Sequence, residues 1–172
     1  MSANCPIIEG VTLDCKGVAG GIDSIYIAEF ENVASVTSSS GTVTAISMVS
    51  GKKFYTYQVR PENAEYKQDQ TFSKENQSYF SKQTLTFDIF KMSAKNRNII
   101  KLLVQNRVMV IVKSTEGTYW LLGQTRGMDV VTVAESTGKA MGDKNGSLLT
   151  LECNEPDPAN TVNSGIISAL LA

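Results

Sequence analysis

Histidine is absent from the chain. That removes the commonest general base, the commonest zinc ligand and every triad that runs through an imidazole. Cysteine is sparse: Cys5, Cys15 and Cys153 are widely spaced and form no CxxC pair. Such spacing encodes no zinc cluster, and an odd number of thiols fits a reducing compartment better than a disulfide framework. A Cys5–Cys15 bridge is compatible with the spacing, but nothing requires it. No stretch approaches the ~20 apolar residues of a membrane-spanning helix. Met1–Gly10 lacks the basic start and apolar centre of a secretory leader. Neither sign of charge dominates, since 16 Lys and Arg against 17 Asp and Glu leave −1. Wrapping nucleic acid with the whole surface needs a net excess of cations, so that class is excluded, although a local basic face is not.

What is present is enough for one globular domain. The 172 residues are 42% hydrophobic, sufficient for a continuous core without disulfides or metal. Residues 1–23, with Gly10, Gly17, Gly20 and Gly21, read as an irregular lead-in or arm. The GVAGG run within them lacks the Gly-Lys-Ser/Thr ending of a phosphate loop and no helix follows.

Strand signals dominate residues 24–155. Ser24–Phe30 is apolar on both faces and predicts a strand covered on both sides. Ser38–Gly41 predicts a turn, and the β-branched Thr42–Val49 a second strand. Lys52–Arg60 alternates aromatic and polar residues until Pro61 stops it. Residues 61–81 are polar with isolated aromatics at Tyr66, Phe72, Tyr79 and Phe80. They predict a long hairpin or an arm reaching away from the body, against the alternative of an ordinary strand pair with a loose tip.

Thr84–Phe90 is a strand with Leu85, Phe87 and Ile89 on one face. A helix follows over 93–106, with Ser93 as N-cap and Ile99, Ile100, Leu103 and Val104 as the buried stripe. Arg107–Lys113 is almost continuously apolar and predicts a central strand, paired through the Glu116-Gly117 turn with Thr118–Gly123. Trp120, the sole tryptophan, is expected to anchor the core. Gly127–Glu135 and Ser147–Cys153 complete the strands, separated by the turn-rich Gly138–Gly146. Pro156 and Pro158 then stop regular structure, so residues 156–172 predict a C-terminal arm ending in the apolar Ile166–Ala172. The fold class is therefore mainly β with one helix: a β-sandwich or small barrel flanked by a helix, with a long arm or hairpin and extended termini.

Chemistry finds little purchase. Asp143-Lys-Asn145-Gly146 has part of a calcium-loop pattern but no closing Glu at the right spacing and no flanking helices. The acidic pairs Glu29/Glu31 and Asp14/Asp23 carry no spacing that defines an acid–base dyad. Lys52, Lys53, Arg60, Lys67, Lys74 and Lys82 are interleaved with Glu62, Glu65, Asp69 and Glu75, a mixture suited to a salt-bridging surface rather than a phosphate track. No catalytic, cofactor-binding or metal-ligating set is expected.

The order from Thr84 onward is strand, helix, hairpin, a Gly-rich loop ending Asp143-x-Asn145-Gly146, the strand Leu149–Glu152 and a proline-containing exit. Together with the opening Cys15–Phe30 (CKGVAGGIDSIYIAEF), it resembles virion structural proteins of tailed phages that infect Bacteroidetes. The whole is similar to tail tube proteins and related ring proteins, including those of crAss-like phages. The resemblance implies a non-enzymatic subunit of a closed homo-oligomeric ring, hexameric or dodecameric, in the virion tail and made in the host cytoplasm. Its implied partners are its own copies and the adjacent tail, neck or portal proteins. DNA would pass through the lumen without sequence-specific binding, and no membrane is involved. Nothing marks a strongly acidic lumen face here.

Interface positions implied by this reading are Tyr66, Phe72, Tyr79 and Phe80 on the long segment and Ile166, Ile167, Leu170 and Leu171 at the C-terminus. A ring also covers the unpaired edges that a single β domain leaves open. The competing class is a ligand- or carbohydrate-binding β-sandwich module, adhesin-like, marked by exposed aromatics beside a shallow groove. A carboxylate-dyad hydrolase is a third reading.

Overall fold

The computed structural model describes residues 7–13 and 15–172. Its strands and helices run β1 (Ile22–Glu29), β2 (Val33–Ser39), β3 (Thr42–Met48), β4 (Tyr55–Gln58), β5 (Ala64–Ser73), β6 (Ser78–Phe90), α1 (Ala94–Gln105), β7 (Val108–Ser114), β8 (Tyr119–Leu122), β9 (Asp129–Ser136), β10 (Gly146–Glu155), β11 (Asn160–Val162) and α2 (Ser164–Leu170). They form a β-sandwich. The first sheet has the order β2-β3-β11-β8-β7-β1-β4 and the second β5-β6-β10-β9. Neighbours are antiparallel except β3 and β11.

The apolar runs explain this layering. β1 and β7 lie side by side inside the first sheet and are apolar on both faces. Ile25, Ile27, Val108, Val110 and Val112 turn toward the second sheet and meet Leu85, Phe87, Leu149 and Leu151 there, with Ile100 and Leu103 of α1 closing the same core. Tyr26, Ala28, Met109 and Ile111 turn the other way, into a second core with Val43, Phe54, Leu121 and Val162. Half-buried Trp120 packs against the first core. The β2–β3 connection is the two-residue Ser40-Gly41, with φ of 50° and 77°. A positive φ at both central residues gives the twist that a two-residue antiparallel hairpin needs.

The Ser93 cap forms as the sequence requires: its Oγ accepts from the Asn96 N–H at 3.2 Å. The stripe behind it is narrower than expected. Ile100 and Leu103 are buried, whereas Val104 is 51% exposed because it sits about a quarter turn from their common direction.

One segment departs from the sequence reading. Residues 156–172 do not leave the body. β11 inserts between β3 and β8, and α2 follows it, so Ile167 and Leu170 are buried in the second core and Ile166 and Leu171 pack against it. The prolines end β10, but pairing resumes as soon as they are passed: Thr161 N–H donates to the Gly41 carbonyl at 3.0 Å, and Asn163 caps α2 by accepting from Gly165 N–H at 2.9 Å. The Phe54 N–H then donates to the Leu170 carbonyl and its carbonyl accepts from Ala172, closing the C-terminus onto the body. Residues 61–81 mostly belong to the sandwich. Ala64 and Tyr66 face the first core, and the β5–β6 ladder is continuous from Ala64↔Phe87 to Ser73↔Ser78. Of the two forms expected, this is the long hairpin.

Candidate functional site

The hairpin becomes an overhang where its neighbour stops. β10 pairs with β6 only as far as Glu155↔Ser81, while β6 and β5 continue to Ser78 and Ser73. On this overhang Phe72 and Tyr79 stack with centroids 5.3 Å apart, and Phe80 points to the opposite face. Phe72 is 69% exposed, and Tyr79 and Phe80 are each about 40% exposed. Three partly exposed aromatics on a polar strand pair beyond the end of β10 form an apolar tip suited to a partner. Tyr66 does not join them. It lies half-buried on the body, its hydroxyl donating to Gln68 Oε1 at 2.7 Å. Ile166, Ile167, Leu170 and Leu171 also stay away from this surface, since α2 holds them over the outer face of the first sheet.

A second surface went unnoticed in the sequence. A cleft of about 760 Å³ opens between β4, the last strand of the first sheet, and α1. Its apolar wall is half-buried (Tyr57, Ile89 and Ile99) above the fully packed Ile27, Phe87 and Leu103, and its rim carries Tyr55, Lys52, Lys53, Lys95 and Leu102. The two walls are forty residues apart in sequence and each reads as an unremarkable element, so no local pattern announces the cleft. The signal in the sequence is Leu102, an apolar residue of α1 outside the stripe of Ile99, Ile100, Leu103 and Val104.

The lead-in supplies a third surface. Residues 7–13 and 15–20 have no regular strand or helix and are all exposed. Ile7, Ile8, Val11 and Leu13 range from 83% to 101% exposed. The segment is tethered where it meets the body: Thr115 donates from Oγ1 to the Gly20 carbonyl and from its N–H to the Gly21 carbonyl. The conceivable Cys5–Cys15 pairing falls partly outside the described residues; Cys15 itself is exposed and free.

A buried polar cluster closes one end of the first core. Gln83 Oε1 accepts from Gly123 N–H at 3.1 Å and from Cys153 Sγ at 3.4 Å. The buried Glu155 carboxylate accepts from Arg126 N–H at 2.8 Å and from Thr125 N–H at 3.0 Å. Burial pushes the Cys153 thiol up to about 12, and the adjacent Glu155 carboxylate pushes the same way. Burial also raises the Tyr66 hydroxyl, and Tyr57 likewise. A raised folded-state pKa means the native thiol keeps its proton where the unfolded thiol has lost it. The contribution is complete below the ordinary thiol range and is lost as pH rises through about 9 toward 12, at about 1.4 kcal/mol per pH unit. Urea midpoints taken from about pH 8 to about pH 10.5 should therefore fall steeply, and Cys153→Ala should flatten that slope. Equal slopes for parent and variant would show that the thiol is not the group responsible.

Nothing in this cluster reaches solvent as a reactive centre. Among the described residues no set of three metal-ligating side chains comes together. Asp143 accepts from the Lys139 and Ala140 N–H groups, both at 2.8 Å, which holds its carboxyl below the usual range and makes it a turn-closing residue. Lys67–Asp69 and Lys82–Glu152 form ion pairs on the outer face of the second sheet. Being exposed, such pairs contribute little stability. Among the described residues no helix is long and apolar enough to cross a membrane.

Comparison with protein-family models, curated proteins and solved structures found no match to this chain.

Proposed function

We propose that this protein is a virion structural subunit of a tailed phage, forming homo-oligomeric rings of the tail tube or neck assembly around the DNA passage. The observation that carries the reading is the amount of apolar surface a single chain leaves uncovered outside its body: Phe72, Tyr79 and Phe80 on the overhang, and Ile7, Ile8, Val11 and Leu13 on the lead-in. Projecting apolar segments of this kind cost solubility in a monomer and gain burial in an assembly. β2 and β4 end the first sheet and β5 and β9 the second, so each sheet also offers terminal strands to a neighbour. The resemblance of the sequence to tail tube and ring proteins supplies the particular kind of assembly. In this reading the partners are copies of the chain and adjoining tail, neck or portal proteins, DNA crosses the lumen without base-specific contact, and the protein acts in the virion without catalysis.

Native mass measurement and electron microscopy of the purified chain test it. Rings or concentration-dependent oligomers are expected. Replacing Phe72, Tyr79 and Phe80 by serine should raise the assembly midpoint by about a hundredfold while the thermal midpoint stays near that of the parent. A parent that remains monomeric at several milligrams per millilitre would end the proposal.

The competing reading, a ligand- or carbohydrate-binding module, draws on the β4–α1 cleft. Its volume of about 760 Å³ is that of a small-molecule site, and Tyr55 stands 62% exposed at its rim. A monomer that binds glycans with loss on Tyr55→Ala would favour it.

A further inference from the structure

We propose that residues 7–13 of one protomer dock as an added strand in the β4–α1 cleft of the next. The proposal rests on the self-assembly reading above and names the surface through which that assembly is made.

The occupant is an extended apolar segment with nothing to cover it. In a strand, Ile7, Val11 and Leu13 share one face with Glu9, and Ile8 takes the other. All four apolar side chains are exposed in the single chain. The receiving cleft offers the complement: the partly exposed apolar side chains Tyr57, Ile89, Ile99 and Leu102 beside a strand at the end of its sheet. An incoming segment can then pair its backbone with β4 while alternate side chains pack against them, which is how extended peptides add to sheet edges.

Charge agrees with the fit. Lys52, Lys53 and Lys95 line the cleft, and none of them takes part in an ion pair among the described residues. The two carboxylates that also line it are engaged: Asp88 with Lys144, and Glu29 as acceptor from Asn32 Nδ2 at 2.8 Å. The lead-in brings Glu9 and, next to its apolar run, Asp14. Opposite signs across the contact orient the segment and disfavour other apolar peptides.

The second copy is favoured over the chain's own segment. Residues 14–21 can span about 27 Å when extended, ample for many paths over the surface. Even so, the folded single chain leaves residues 7–13 in solvent.

Full-length chains decide the matter, in a Cys5→Ser, Cys15→Ser background. One tagged chain carries Gly10→Cys and a differently tagged chain carries Thr56→Cys on β4. Mixing under mild oxidation should give a disulfide-linked species containing both tags. Adding Val11→Asp and Leu13→Asp should abolish the link and raise the assembly midpoint by about a hundredfold, with the circular dichroism spectrum unchanged because both residues lie outside the body. Oligomers that form without the link, and are insensitive to the two aspartates, would overturn the docking while leaving self-assembly intact. A third chain carries both Gly10→Cys and Thr56→Cys; a link that forms only within such single chains, and never between the two tags, would also overturn it, since the cleft would then hold its own segment. A protein monomeric at every concentration would remove both proposals.

Discussion

Phe87→Ala should cost about 3–5 kcal/mol of folding stability, the range for losing a fully buried aromatic. Phe87 is completely inaccessible and stands on β6 between Ala64 of β5 and Leu149 of β10. Its ring and that of Tyr57 meet edge to face, with centroids 6.3 Å apart and an interplanar angle of 72°, so it ties the second sheet to β4 at the end of the first. Alanine would remove that bridge and open a void beneath the β4–α1 cleft. Against a total of about 5–15 kcal/mol for a domain, such a loss lowers the urea midpoint by a large fraction of its starting value. Phe87→Leu fills more of the space and should cost less than about 1.5 kcal/mol. A loss under about 1 kcal/mol for the alanine variant would mean that the two sheets are not joined at this point. Self-association should weaken as well if the cleft receives a neighbouring segment, because the side chains that line the cleft lose the ring that supports them from below.

Glu155→Ala should cost on the order of 3 kcal/mol, by a different mechanism. The carboxylate sits 3% exposed at the end of β10 and holds the β8–β9 loop through the Thr125 and Arg126 N–H groups. Charge-assisted bonds to backbone donors are about twice as strong as neutral ones. The loop can present those two donors because it turns at Gly123, where φ is +68° and a Cβ would lie 2.9 Å from the Met128 nitrogen. Alanine at position 155 leaves both donors without their acceptor and the loop without its tether. Glu155→Gln keeps one oxygen in place and should cost about 1 kcal/mol. Urea denaturation measures the difference, and hydrogen exchange gives the local readout: the Thr125 and Arg126 amides should exchange much faster in the alanine variant. Equal costs for Ala and Gln, with unchanged exchange at these two amides, would show that the carboxylate holds nothing.

These two residues differ in how far the sequence exposes them. Phe87 is legible: it alternates with Leu85 and Ile89 on a strand, and period-two apolar patterning assigns it inward. Glu155 is not. It reads as a polar residue before a proline, and its purpose depends on where a loop thirty residues earlier places two N–H groups. The same division runs through the functional surfaces. Phe72, Tyr79 and Phe80 stand out as aromatics in a polar stretch, but that they project while Tyr66 does not follows from the point at which β10 ends. Ile167 and Leu170 have the composition of an arm and the position of a core.

For residues 61–81 local sequence signals left hairpin and arm open; they were sufficient for the two-sided apolar strands β1 and β7, for the Ser93 cap of α1 and hence for a mainly β sandwich with a helix. Each of these depends on neighbours within a few positions along the chain. The return of the C-terminus, the overhang and the β4–α1 cleft came from contacts between distant segments, such as Thr161 with Thr42, 119 residues apart. A side chain's neighbours along the chain decide which way it faces; which segment it then meets depends on how the sheets close, and that is a property of the whole fold.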